Sequence, residues 1–151
     1  MCGVISYYGN SDLLASKHWM EVKQLTKEPP VPIGTILESN MRMRYAGRLD
    51  ILLGGHPQDA LYAYQLASPI THVHPGCPPT LLIQGDQDLL VPVDTTRALY
   101  TKLVESGVPA INAVFPWTEH AFDLLLPQIS PPAQSALYDV DRFLALLLNK
   151  D

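Results

Sequence analysis

Apolar and polar residues change rhythm several times along the chain, and each change marks a predicted element. Residues 2–8, CGVISYY, are β-branched and aromatic and run into Gly9, Asn10 and Ser11, which predicts a short strand closed by a turn. From Ser11 the spacing loosens to a helical one through Leu13, Leu14, Met20, Val22 and Leu25, until the run KEPPVP breaks it at 27–32. A second helical stretch over 35–49 stops at Gly54 and Gly55, and Pro57 restarts a helix through ALYAYQLA. After the loop SPITHVHPGCPP comes the clearest strand, 80–84, ended by Gly85. A helix is predicted over 93–106, with Ala98, Leu99, Leu103 and Val104 on one side and Gly107 as its stop. A strand over 111–115 ends at Pro116. In the last helix, 132–148, Ala133, Ala136, Leu137, Val140, Phe143, Leu144 and Leu147 recur at helical spacing and form an apolar face.

From Cys77 onward the order is therefore strand, helix, strand, helix. That alternation predicts an α/β layer of parallel strands joined by right-handed crossovers. With the strand at 2–8 the sheet has about three parallel strands. Residues 11–68 interrupt it as one mostly helical, cap-like insertion, and no internal repeat is present.

Composition narrows the function classes. The 151 residues make one ordinary domain, with 47% hydrophobic and 17% charged residues, far from the disordered regime. A net charge of -5 argues against a nucleic-acid partner, because no basic patch exists to neutralise phosphates. Two cysteines, Cys2 and Cys77, give neither a disulfide framework nor zinc spacing. His72 and His74 flank Val73 beside Pro75, but no further ligand cluster accompanies them, so no metal is expected. The apolar run 143–148 is far short of the ~20 residues of a membrane span, and the first residues lack a charged-then-apolar leader. The default compartment is the cytoplasm.

The chemistry gathers in two stretches. TLLIQGDQDLLVP, residues 80–92, is a strand followed by acidic residues at 86 and 88; INAVFP, 111–116, is a strand followed by WTEHAFD with its His120. Loops at the carboxyl ends of parallel strands converge on one crevice. A carboxylate after one strand and a histidine after the next can meet there as orienter and base: the acid fixes the tautomer while the other ring nitrogen takes a proton from a nucleophile.

The opening Met-Cys-Gly resembles the start of class II glutamine amidotransferases, whose N-terminal Cys is the nucleophile. The Arg-Gly and Gly-His-Thr-Arg-Trp-like segments of that family are absent, so Cys2 is expected to be the first residue of a core strand. Gly85-x-x-Asp88-x-x-Val91-Pro92 after a strand, then His120 with Phe122 two residues on, resembles the C-terminal half of an α/β-hydrolase. GVISYYGNSDL, 3–13, resembles the strand that follows the nucleophile in esterases of that family, feruloyl esterases included. The resemblance implies a partial α/β-hydrolase fold over 1–151, with Asp88 as triad acid and His120 as triad base. Asp86 is the weaker choice of acid. Trp117 beside the His loop and Trp19 in the cap would touch the substrate, a small-molecule ester, without any cofactor. No Gly-x-Ser-x-Gly and no His-Gly-Gly-type oxyanion loop occurs in these residues. The expectation is thus a hydrolase segment without its serine, inactive alone, with an exposed edge at 2–8 inviting self-association. A non-catalytic interaction module and a serine peptidase-like hydrolase are the alternatives.

Overall fold

The computed structural model describes residues 2–25, 44–124 and 126–148. Its elements are β1 (Val4–Tyr7), α1 (Leu13–Leu25), a helical stretch α2 over 44–53, α3 (Pro57–Ala67) with a 3-10 turn at Pro69–His72, β2 (Thr80–Gly85), α4 (Val93–Glu105), β3 (Ala110–Phe115) and α5 (Pro131–Leu148). The break expected at 27–32 and the start of the helix expected over 35–49 lie outside the described residues.

The three strands form one sheet in the order β1-β2-β3, all parallel. Register runs Val4 opposite Thr80 and Thr80 opposite Ala110, so all three strands point their carboxyl ends the same way. Alternate residues of β2 face opposite layers. Leu81 and Ile83 pack with Ala136 and Phe143 of α5, while Leu82 packs with Leu99 and Leu103 of α4 and with Val108. β2 is buried at every position, as the central strand of a two-sided parallel sheet must be.

Helix ends follow their local chemistry. Asp12 caps α1 by accepting the N–H of Ala15 at 2.9 Å. Pro57 opens α3 behind His56, whose ring accepts the N–H of Gln58. α4 ends at Glu105 and is closed by Gly107, with a φ of +76 that suits glycine, as the Val108 N–H returns to the Leu103 carbonyl at 2.9 Å.

The helical insertion has a core of its own, formed by Leu13, Met20, Ala46, Leu49 and Tyr64. Its two stems are tied at the base. The Leu13 N–H donates to Ser68 Oγ at 2.9 Å, and the Ile70 N–H donates to the Ser11 carbonyl at 3.0 Å. Lys17 is buried within it, with Nζ 2.6 Å from Asp50, whose other oxygen accepts the Tyr64 hydroxyl at 2.7 Å. Burial alone would raise the Asp50 carboxyl, but the bonds from Lys17 and Tyr64 prevail and hold it below the usual range.

Three expectations change. Cys2 is exposed and precedes the strand, so it is not a core residue. Ala98 and Val104 face solvent, and the buried side of α4 is Thr95, Thr96, Leu99 and Leu103. Leu137 and Leu144 of α5 are exposed too, which narrows its buried face to Ala133, Ala136 and Phe143, flanked by the partly buried Val140 and Leu147.

Candidate active site

At Gly85, the last residue of β2, the loop after β3 passes directly against the strand. A Cβ there would lie 2.0 Å from the Thr118 carbonyl oxygen, so only a residue without a side chain fits. The loops after β2 and β3 are then laced together. The Asp86 N–H donates to the Phe115 carbonyl at 3.0 Å, the Gln87 N–H to the Thr118 carbonyl at 3.0 Å, and the Trp117 N–H to Asp86 Oδ1 at 2.7 Å. Asp86 is therefore a brace between loops.

Asp88, the next acid, turns inward and its side chain is fully buried. Its Oδ1 accepts the N–H groups of Leu90 and Val91, both at 2.8 Å, in a local turn that leads into α4. Its Oδ2 lies 2.8 Å from His120 Nδ1 and 3.4 Å from Gln84 Nε2. Every neighbour of the carboxylate is a donor, so Nδ1 carries the imidazole proton and Nε2 is left to take one up. The His120 side chain is 26% exposed, so part of the ring is open to solvent. Sequence reasoning missed Gln84, buried in mid-strand. Its Nε2 also donates to the Val91 carbonyl at 2.7 Å, and its Oε1 accepts the Thr96 hydroxyl of α4. A polar residue in an otherwise apolar strand is the signal that could have found it.

Tyr8 was also missed. Its ring centroid lies 4.4 Å from that of His120, and its hydroxyl donates to Asp123 Oδ1 at 3.0 Å. Burial first, then the bond to Asp123 and the nearby negative charge, push its phenol up to about 12.

Trp117 stands on the His120 loop with φ +55 and is 88% exposed, so it is not packed into the protein. Trp19 is partly buried against the helical core. The His72 ring lies 2.6 Å from the Leu66 carbonyl and the His74 ring accepts the Gly76 N–H, both local loop bonds. Among the described residues no group of three His, Cys, Asp or Glu could hold a metal ion, and no helix is long and apolar enough to cross a membrane. An apolar cavity of about 350 Å³ opens beside β1, lined in part by Val4, Ser6, Cys77, Leu82 and Leu99; neither Asp88 nor His120 borders it.

Residues 2–103, which include Asp88, match the BD-FAE family. The chain belongs to the BD-FAE family. This BD-FAE member is 34% identical over 113 residues to LipM of Mycobacterium tuberculosis, described as a probable carboxylic ester hydrolase, covering 74% of the chain and 26% of LipM. Esterase LipQ of the same organism is 37% identical over 62 residues, 40% of the chain and 15% of LipQ. The chain thus spans about a quarter or less of the length of these curated relatives. Among solved structures, esterase 2 of Thermogutta terrifontis phosphonylated by sarin superposes with a TM-score of 0.61 at 20% identity, covering 96% of this chain and 44% of that one. Its butyrate-bound form gives 0.60 at 21% identity, with 96% and 43% covered. These likenesses show the fold, an α/β-hydrolase architecture, with three parallel strands and their helices among the described residues.

Proposed function

We propose that this BD-FAE member carries the acid–base part of a carboxylic-ester hydrolase that works through serine, histidine and aspartate. The observation that carries this reading is the 2.8 Å contact between His120 Nδ1 and a fully buried Asp88 carboxylate saturated with donors. In that role Nε2 of His120 takes the proton as a serine attacks the ester carbonyl, then returns it to the departing alcohol. Asp88 holds the ring and stabilises the imidazolium between those steps. A water activated by the same nitrogen releases the acid. No metal or cofactor enters the scheme.

These 151 residues contain no Gly-x-Ser-x-Gly to supply the serine of this scheme. The residues by themselves are accordingly not expected to hydrolyse esters. Trp117 is the better substrate contact of the two tryptophans, because it hangs in solvent from the His120 loop while Trp19 is engaged in helix packing.

The test is a graft. Residues 80–124 would replace the corresponding segment of LipM, and p-nitrophenyl ester hydrolysis would be compared with the unmodified parent. Activity is expected to survive in the graft and to fall about 10⁴-fold or more on His120→Ala. A graft indifferent to His120→Ala would overturn the reading. So would hydrolysis by the 151-residue chain alone that disappears on His120→Ala, since it would require a nucleophile within these residues.

A further inference from the structure

Asp88 fixes one atom of the His120 ring, and one hydrogen bond does not fix a plane. The imidazole can still swing about the Nδ1···Oδ2 line, and it stands on a turn where Ala121 takes a φ of +58, with a quarter of its side chain in solvent. A base must aim Nε2 as well as hold Nδ1, so a second contact on the ring is needed for preorganisation.

Tyr8 makes that contact. It follows β1 directly, and strand alternation would send its ring to the sheet face opposite Tyr7. Instead Tyr8 takes a φ of +39, uncommon for a residue with a side chain. The chain turns, and the rings of Tyr7 and Tyr8 come within 6.0 Å edge to face on the same side. The turned conformation is held at both ends. The Tyr8 N–H donates to the Ile83 carbonyl at 2.7 Å, and the hydroxyl donates to Asp123 Oδ1, 115 residues away, at 3.0 Å. Between these anchors the ring lies 4.4 Å from the imidazole at an interplanar angle of 55°, with Phe122 behind it at 6.1 Å. Backbone strain of this kind, compensated by two hydrogen bonds and directed at one ring, has the form of a positioning device.

We propose that Tyr8 is a positioning residue for His120, its ring setting the plane of the imidazole and its hydroxyl, tied to Asp123, keeping that ring in place. The proposal rests on the reading of His120 as the proton carrier, and it adds a second, aromatic orienter to Asp88.

The experiment uses the 151-residue chain with isotope-labelled histidine and follows His120 by NMR. Two signals matter: the ring-current displacement of its carbon-bound protons, and the low-field Nδ1 proton shared with Asp88. In Tyr8→Leu the ring-current displacement is expected to vanish and the low-field proton to exchange with water at least tenfold faster. Tyr8→Phe should keep the displacement and speed exchange less, because the ring remains and only its tether is lost. Asp123→Ala should match Tyr8→Phe, and combining the two should do no more than either alone. If Tyr8→Leu does not fold, the Tyr8→Phe and Asp123→Ala pair decides by the same criterion. Asp88→Asn separates the two readings. A low-field proton that does not depend on Asp88 would remove the proton-carrier reading and this proposal with it. One that vanishes in Asp88→Asn yet exchanges unchanged in every Tyr8 and Asp123 variant would overturn this proposal alone.

Discussion

A methyl group at Gly85 would meet the Thr118 carbonyl oxygen at 2.0 Å and its carbon at 2.5 Å, both of them backbone atoms that cannot swing aside. Gly85→Ala is therefore expected to push the His120 loop away from Asp88 and to cost about 1–3 kcal/mol, the usual range for overpacking. A urea midpoint equal to that of the parent would contradict the close approach. Tyr8 offers a pH test. Its phenol moves from the ordinary 10.0 up to about 12, so the folded state favours the neutral form. The stability this contributes is complete below pH 10 and is lost as pH rises through about 12. Tyr64 is raised in the same direction by burial and Asp50, and Tyr7 by burial and the charges of Asp123 and Asp139, so the alkaline loss is shared among them. Melting temperature should fall above pH 10, and Tyr8→Phe should make that fall shallower; an unchanged slope would speak against the Tyr8–Asp123 bond. That Asp88 and His120 meet was legible in the sequence because parallel strands deliver their carboxyl-end loops to one place. Tyr8 was not, because nothing in a tyrosine announces a φ of +39; the anchors that impose it come from residues 83 and 123.

Strands were read to within a few residues, since an apolar run between turn residues leaves little choice of element. Which side of a helix is buried proved harder. Spacing alone put Ala98 and Val104 of α4 inward, yet the structure buries Thr95 and Thr96. The reason lies in the neighbouring strand. Gln84 is fully buried in β2 and needs a partner for its amide oxygen, which the Thr96 hydroxyl supplies, while the Thr95 hydroxyl donates to the Pro92 carbonyl at 2.8 Å. Thr96→Val keeps the shape and removes the donor. It should cost about 1–3 kcal/mol by leaving a buried acceptor unsatisfied, read as a lower urea midpoint. It should also loosen Gln84 from Asp88. A variant as stable as the parent would show that Gln84 finds another donor.

As a molecule the described chain has three apolar clusters, one inside the helical group and one on each face of the sheet, under α5 and under α4; the base of the helical group is tied through Ser11, Ser68 and Ile70. The coverage is uneven. β1 pairs only with β2 among the described strands, and Val4 and Ile5 are 43% and 37% exposed on its two faces. An unpaired, apolar strand edge offers backbone donors and acceptors to another chain. Concentration-dependent association in sedimentation velocity is the expected outcome, reduced by Val4→Lys, which places a charge on that strand. A monomer at every concentration would rule this edge out as an association surface.

The residues alone were enough for the α/β class and for placing Asp88 and His120 on the loops after adjacent strands, because these follow from short-range patterns of apolar runs and turn residues. Tertiary structure decided what those residues do to one another. It turned Asp86 into a brace and Asp88 into the buried partner of His120. It also put Trp117 in solvent, and it brought Tyr8 from the far end of the chain onto the imidazole. Each of those outcomes depends on where a distant backbone carbonyl, amide or carboxylate lies, and that distance is set by packing rather than by neighbours in the chain.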